Sequence, residues 1–144
     1  MSGAWSGNVT STSATVCIRL VAPGQRVRLV ASADEQLSSA IVSATATSNA
    51  NAGNAVSLDI VGLQPNTTYY YGIEVAGNVR LEPTSRGRFR TFPQGAGSFK
   101  IALVGDGDYR DADQRAYQAV QAEEPLLILF NGDLHYRDLN TTNP

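Results

Sequence analysis

The chain contains a single cysteine, a single histidine, a single methionine and a single tryptophan in 144 residues. A lone Cys17 excludes an internal disulfide and a cysteine-built metal cluster. Set between Val16 and Ile18, it reads as a small hydrophobe within a strand. Charge is sparse as well. Charged residues make up 17% of the chain and the net charge is −2, which gives no electrostatic footing for nucleic acid or an anionic membrane as partner. Long apolar runs are missing too: the longest, Pro125 to Phe130, is strand length, far short of the ~20 residues that span a bilayer. Residues 1–20 lack the basic start and apolar stretch of a signal peptide and read as the first strands of a folded domain, so the compartment stays open.

What is present changes character near Pro93. Before it, the sequence is rich in Ser, Thr, Val, Ala and Asn, and apolar residues recur with period two: Val16, Ile18, Leu20; Val27, Leu29, Ala31; Val56, Leu58, Ile60; Tyr69, Tyr71, Ile73, Val75. Period two marks strands with one buried face. The runs are separated by turn formers at Pro23-Gly24, Asn49 to Asn54, Gly62 to Asn66 and Gly77-Asn78. Several such strands without helical periodicity predict an antiparallel sandwich over residues 1–93. Trp5 is expected to pack in the first strand. Within Gly62 to Tyr71, a leucine, a turn-setting Pro65 and Tyr69 opening a strand fit a tyrosine corner, whose hydroxyl bonds back to the upstream backbone. This stretch resembles the fibronectin type III family, and Gly87 to Pro93 is similar to that family's last strand.

Residues 94–98, Gln-Gly-Ala-Gly-Ser, read as a linker. Beyond it, Phe99 to Val104 is apolar on both faces, Asp111 or Asp113 can cap a helix running to about Glu124, and Pro125 stops it. Leu126 to Phe130 is a second two-faced apolar strand, as a central parallel strand requires. Residues 99–144 therefore predict one βαβ unit. One short helix covers one face only, so this unit is expected to be the opening of a larger, truncated α/β domain.

Both strands lead into Gly-Asp: Gly105-Asp106-Gly107-Asp108 and Gly132-Asp133-Leu134-His135-Tyr136. In an open α/β sheet, ligands bind outside the carboxyl ends of the strands. Neighbouring strands lie ~4.8 Å apart, so aspartates leaving both at one edge can converge on a pair of metal ions ~3.5–4 Å apart. Without cations such carboxylates would repel one another. One Gly-Asp after a strand is ordinary turn chemistry; two in one βαβ unit are more specific. Tyr136 is either a further ligand or a surface loop residue on spacing alone.

Gly132-Asp133-x-x-Tyr136 resembles a block of the calcineurin-like metallophosphoesterases, and is especially similar to their purple acid phosphatase and alkaline phosphatase D-like branches. Those branches also carry a fibronectin-like domain joined to the catalytic domain by a short linker, so the resemblance spans nearly the whole chain. It implies a phosphatase or phosphodiesterase that hydrolyses a phosphate ester with metal-activated hydroxide. It also implies a binuclear centre of iron(III) and a divalent partner, calcium, zinc, manganese or iron. By position, Asp106 binds one metal, Asp133 bridges both and Tyr136 binds the ferric ion. Asp108 is a second choice to Asp106, because the purple acid phosphatases usually have glycine there, and some alkaline phosphatase D-like members have cysteine in place of Asp106. His135 is a polar loop residue near the site. The family's later Asn-His block and its further metal-binding histidines have no counterpart, so the 144 residues alone are expected to be inactive. Two rival readings stand beside this one. A dinucleotide fold fails on Arg110, where a third glycine belongs, and on aspartates where a pyrophosphate must approach. A sandwich serving as a binding module would expose aromatic residues.

Overall fold

The structure, a computed structural model, describes residues 3–105 and 114–132. The chain divides into two compact units, Met1–Ala96 and Gly97–Pro144.

In the first unit the strands are β1 (Ala4–Gly7), β2 (Ser13–Arg19), β3 (Arg26–Ser32), β4 (Ile41–Val42), β5 (Ala46–Thr47), β6 (Ala55–Val61), β7 (Thr68–Val75), β8 (Asn78–Arg80) and β9 (Arg86–Arg90), with one 3-10 turn at Ala50–Ala52. They form a β-sandwich. One sheet has the order β1-β2-β6; the other runs β4-β3-β7-β8, with β5 also on β3 and β9 also on β7. All these pairings are antiparallel. The alternating residues supply the core: Val16, Ile18, Leu58 and Ile60 of one sheet face Val27, Leu29, Tyr71 and Ile73 of the other, all essentially buried.

The turn after β6 holds the tyrosine corner. The Gln64 amide donates to the Tyr69 hydroxyl at 2.8 Å, and Tyr69 is buried. Its ring stacks on Phe89 with centroids 5.8 Å apart. Asn66 takes a left-handed φ of 52°, which asparagine tolerates at a tight turn. Thr91, fully buried, closes the same corner from just beyond β9. Its hydroxyl donates to the Gln64 carbonyl at 2.7 Å and accepts from the Thr67 amide at 2.9 Å.

Trp5 does not pack into the core; it is 58% exposed. The reason is register. Trp5 lies opposite Cys17, whose neighbours Val16 and Ile18 point inward, so period two sends Trp5 and Cys17 to the outer face and turns Ala4 toward the core. Cys17 is accordingly half-buried on that face, 3.4 Å from the Ser57 hydroxyl.

In the second unit, β10 (Ile101–Val104) and β11 (Leu127–Phe130) pair in parallel, and α1 (Gln114–Ala122) connects them. This is the expected strand-helix-strand order with shorter elements. β10 opens at Ile101 rather than Phe99. α1 ends at Ala122, and Glu124 takes a left-handed φ of 46° before Pro125, its amide donating to the Gln121 carbonyl at 3.0 Å. The proposed caps Asp111 and Asp113 lie outside the described residues. Among the described residues, no helix is long and apolar enough to cross a membrane.

Candidate functional site

The frame of the candidate site is the pair of strand ends in the second unit. β10 and β11 pair in register, Ile101 with Leu127 through Val104 with Phe130, so both strands finish at one level. The Asn131 amide then donates to the Val104 carbonyl at 2.7 Å and extends the ladder one step beyond the strands. Gly105 sits against this step. A Cβ built on it would lie 3.4 Å from the Asn131 carbonyl oxygen, at the edge of ordinary van der Waals contact. Gly105 is not among the residues of positive φ. Neither a left-handed turn nor a clash with the neighbouring strand therefore demands glycine at this position. Asn131 passes unnoticed in the sequence, because a single polar residue between an apolar strand and a glycine carries no period.

Asp106, Asp108, Asp133, His135 and Tyr136 all lie outside the described residues. Among the described residues, no group of three or more His, Cys, Asp or Glu could hold a metal ion. The described side chains around the frame are apolar. Ile101, Leu103 and Leu129 share one face of the two-stranded sheet and Ile128 and Phe130 the other, with Leu103 68% and Phe130 55% exposed. An exposed ion pair, Lys100 to Glu123 at 2.7 Å, ties β10's approach to the end of α1 and lowers the Glu123 carboxyl below its usual value.

The family profile of the PhoD-like phosphatase N-terminal domain matches residues 1–93. The chain belongs to the PhoD-like phosphatase family. An acid phosphatase of Aspergillus ficuum is 41% identical over 88 residues, covering 58% of this chain and 14% of that protein. The solved structure of PhoD superposes with a TM-score of 0.76 at 23% identity, over 91% of this chain and 27% of that one. The solution structure of the sensor domain of the anti-sigma factor RsgI4 from Pseudobacteroides cellulosolvens gives a TM-score of 0.50 at 18% identity, over 69% of this chain and 82% of that domain, a likeness of fold alone. The chain thus spans about a quarter of the PhoD structure and a seventh of the acid phosphatase. For a PhoD-like phosphatase, the two-unit arrangement accounts for the change of sequence texture near Pro93: a β-sandwich first, then a small βα region.

Proposed function

We propose that this chain is the amino-terminal part of a binuclear-metal phosphatase or phosphodiesterase, a fibronectin type III-like sandwich joined by residues 94–98 to the start of the catalytic domain. The observation that carries the reading is the parallel pairing of β10 with β11 in a register that ends both strands together, β10 followed at once by Gly105-Asp106 and β11 by Asn131 and then Gly132-Asp133. Family membership over residues 1–93 supports it. So do the apolar side chains exposed on both faces of the β10–β11 sheet, a surface that a larger α/β domain buries.

In this reading Asp106, Asp133 and Tyr136 would hold the two metals, iron(III) at Tyr136, with Asp108 and His135 as further candidates. The donor set of carboxylates and a phenolate suits hard cations. Such a metal pair, when bound, activates water and offsets charge on the phosphoryl oxygens of a phosphate ester. The chain's own part is positional: the Asn131–Val104 bond holds the two strand ends at ladder spacing.

One observation favours the rival reading of a binding module. Trp5 is an exposed aromatic on the outer face of the β1-β2-β6 sheet. It is a single residue among Cys17, Thr15 and Ser57, and Thr15 is already committed to Asp59 at 2.6 Å. A lone ring on a polar face is a weaker footing than paired strand ends.

The test uses a polypeptide that continues past Pro144, loaded with iron. Phenolate bound to iron(III) gives a visible charge-transfer band. Tyr136→Phe is expected to abolish that band while leaving the fold intact, and Asp133→Asn to lower metal stoichiometry. A colourless iron-loaded protein, or a band unchanged in Tyr136→Phe, refutes the assignment of Tyr136. Absence of stoichiometric metal in every form favours the binding module.

A further inference from the structure

A cavity of the sandwich lies over β7 and β9, with a volume of about 450 Å³, open to solvent. That is within the ~300–1,000 Å³ of small-molecule sites and far larger than a single ordered water needs. Its polar side chains are Arg86, Arg88, Tyr70 and the carboxylate of Glu35, so two cationic groups face one anionic one, and its apolar wall is Leu81 and Pro83. Glu35 and Leu37, from the loop after β3, complete the opposite rim.

One glycine shapes it. At Gly72 a Cβ would come within 2.7 Å of the Leu81 side chain and 3.0 Å of the Arg80 carbonyl, so only glycine lets the chain after β8 lie flat across the sheet and raise the apolar wall. At Gly87 a Cβ would fall 2.5 Å from the Tyr71 hydroxyl. Gly87 and Tyr71 are partners in the ladder and share the inward face, so the missing side chain there makes room for a core tyrosine.

The arginines are the informative part. Arg19 donates to the Gly53 carbonyl, Arg28 is forked onto Glu74, Arg80 faces Glu82 and Arg90 reaches Asn66. Arg86 and Arg88 have no side-chain partner among the described residues. They stand two apart on β9, hence on one face and ~6.8 Å apart along the strand, with Tyr70 directly across from Arg88 in the ladder. Two free guanidinium forks at that spacing can close on one tetrahedral oxyanion from two sides. A phosphomonoester carries close to two negative charges at neutral pH and has enough acceptor oxygens for both forks and a phenol. A carboxylate offers one charge and one fork site. The volume and the Leu81–Pro83 wall leave space for an apolar or ring-shaped body behind the phosphate.

We propose that this cavity binds a small organic phosphate, with Arg86 and Arg88 clamping the phosphate and Leu81 and Pro83 holding its organic body. The site lies wholly within the sandwich, and the proposal does not depend on the metal-centre reading.

The full chain, isotopically labelled, is titrated with phenyl phosphate while the amide of Gly87 and the side-chain Nε–H signals of Arg86 and Arg88 are followed by nuclear magnetic resonance. Saturable shifts at all three are expected. Arg86→Gln and Arg88→Gln should each weaken binding about tenfold or more, equivalent to ~1.4 kcal/mol. Arg26→Gln should not, since Arg26 is exposed, equally lacking a partner and lines a different cavity. Both target arginines are exposed, so the replacements should leave the melting temperature unchanged. Inorganic phosphate should bind more weakly than phenyl phosphate, and benzoate more weakly still. The proposal is overturned by a linear, unsaturable response, by equal weakening in Arg26→Gln, or by benzoate or inorganic phosphate binding as tightly as phenyl phosphate.

Discussion

Replacing Tyr69 by phenylalanine removes one oxygen and leaves the ring. That oxygen accepts the Gln64 amide at 2.8 Å across the turn, and the ring it is attached to stacks on Phe89. The ring contributes by burial, which the substitution preserves; the hydroxyl contributes by satisfying a backbone donor. Losing a buried partner costs ~1–3 kcal/mol. Gln64 itself is exposed, so its freed amide can turn partly to water, and the lower end applies. The expected loss is about 1 kcal/mol. In a domain of this size, roughly 60–100 residues, that corresponds to a fall of about 4–8 °C in melting temperature.

The assay is thermal unfolding of the full chain followed by near-ultraviolet circular dichroism, to which the buried Tyr69 and Tyr71 contribute. Tyr70→Phe is the matched control, because Tyr70 lies one residue away on the other face of β7 and its hydroxyl has no described partner; it should stay within about 0.5 kcal/mol. Tyr69→Ala should lose about 3–5 kcal/mol, since it forfeits the packing as well. An unchanged midpoint in Tyr69→Phe, or an equal fall in Tyr70→Phe, refutes the corner as a source of stability.

Two further outcomes follow from the same packing. Thr91→Val keeps the shape of a fully buried side chain but strands the Gln64 carbonyl and the Thr67 amide, so it should cost about 2 kcal/mol or more in urea unfolding, exceeding Tyr69→Phe; a smaller loss refutes its role as the second clasp. Burial holds the Tyr71 phenol above its ordinary value of 10.0. The native state therefore keeps a proton that the unfolded chain releases, and stability present below pH 10.0 is lost as pH rises through the raised folded value. Tyr71→Phe should flatten that alkaline limb, and an unaltered limb assigns the loss to another group.

The sandwich was legible because its inward positions repeat every second residue. Val16, Ile18, Leu58, Ile60, Leu29 and Ile73 are buried where the alternation puts them, and Tyr69 bonds upstream as the leucine-proline-tyrosine spacing requires. Trp5 was misjudged for a related reason. In a four-residue strand, parity is set by the partner's register rather than by the strand's own pattern, and that register is a long-range fact. The short strands β4, β5 and β8 have no more than three residues each, too few to show a period. In the second unit the two-faced apolar runs located the parallel strands but not their first residues, because an apolar run gives no internal mark of where pairing begins. The candidate metal ligands were read from spacing and resemblance, and they lie outside the described residues.

Arg86 and Arg88 were invisible for a different reason. In Arg86-Gly87-Arg88-Phe89-Arg90 the alternation announces a strand with Phe89 inward, and the outward arginines look like ordinary solvated charge. What distinguishes them is what their neighbours lack. Gly72 admits the Leu81 segment as a wall, Glu74 and Glu82 are committed to Arg28 and Arg80, and Glu35 on the cavity rim makes no ion pair with Arg86 or Arg88. Each of these facts joins residues brought together by the fold: the β3–β7 pair, the β7–β9 pair and the crossing after β8. A charge left unpaired in a shaped cavity is thus a property of topology, whereas a buried alternation is a property of local sequence. That difference explains why the core of this sandwich could be read from the chain and the cavity on its outer face could not.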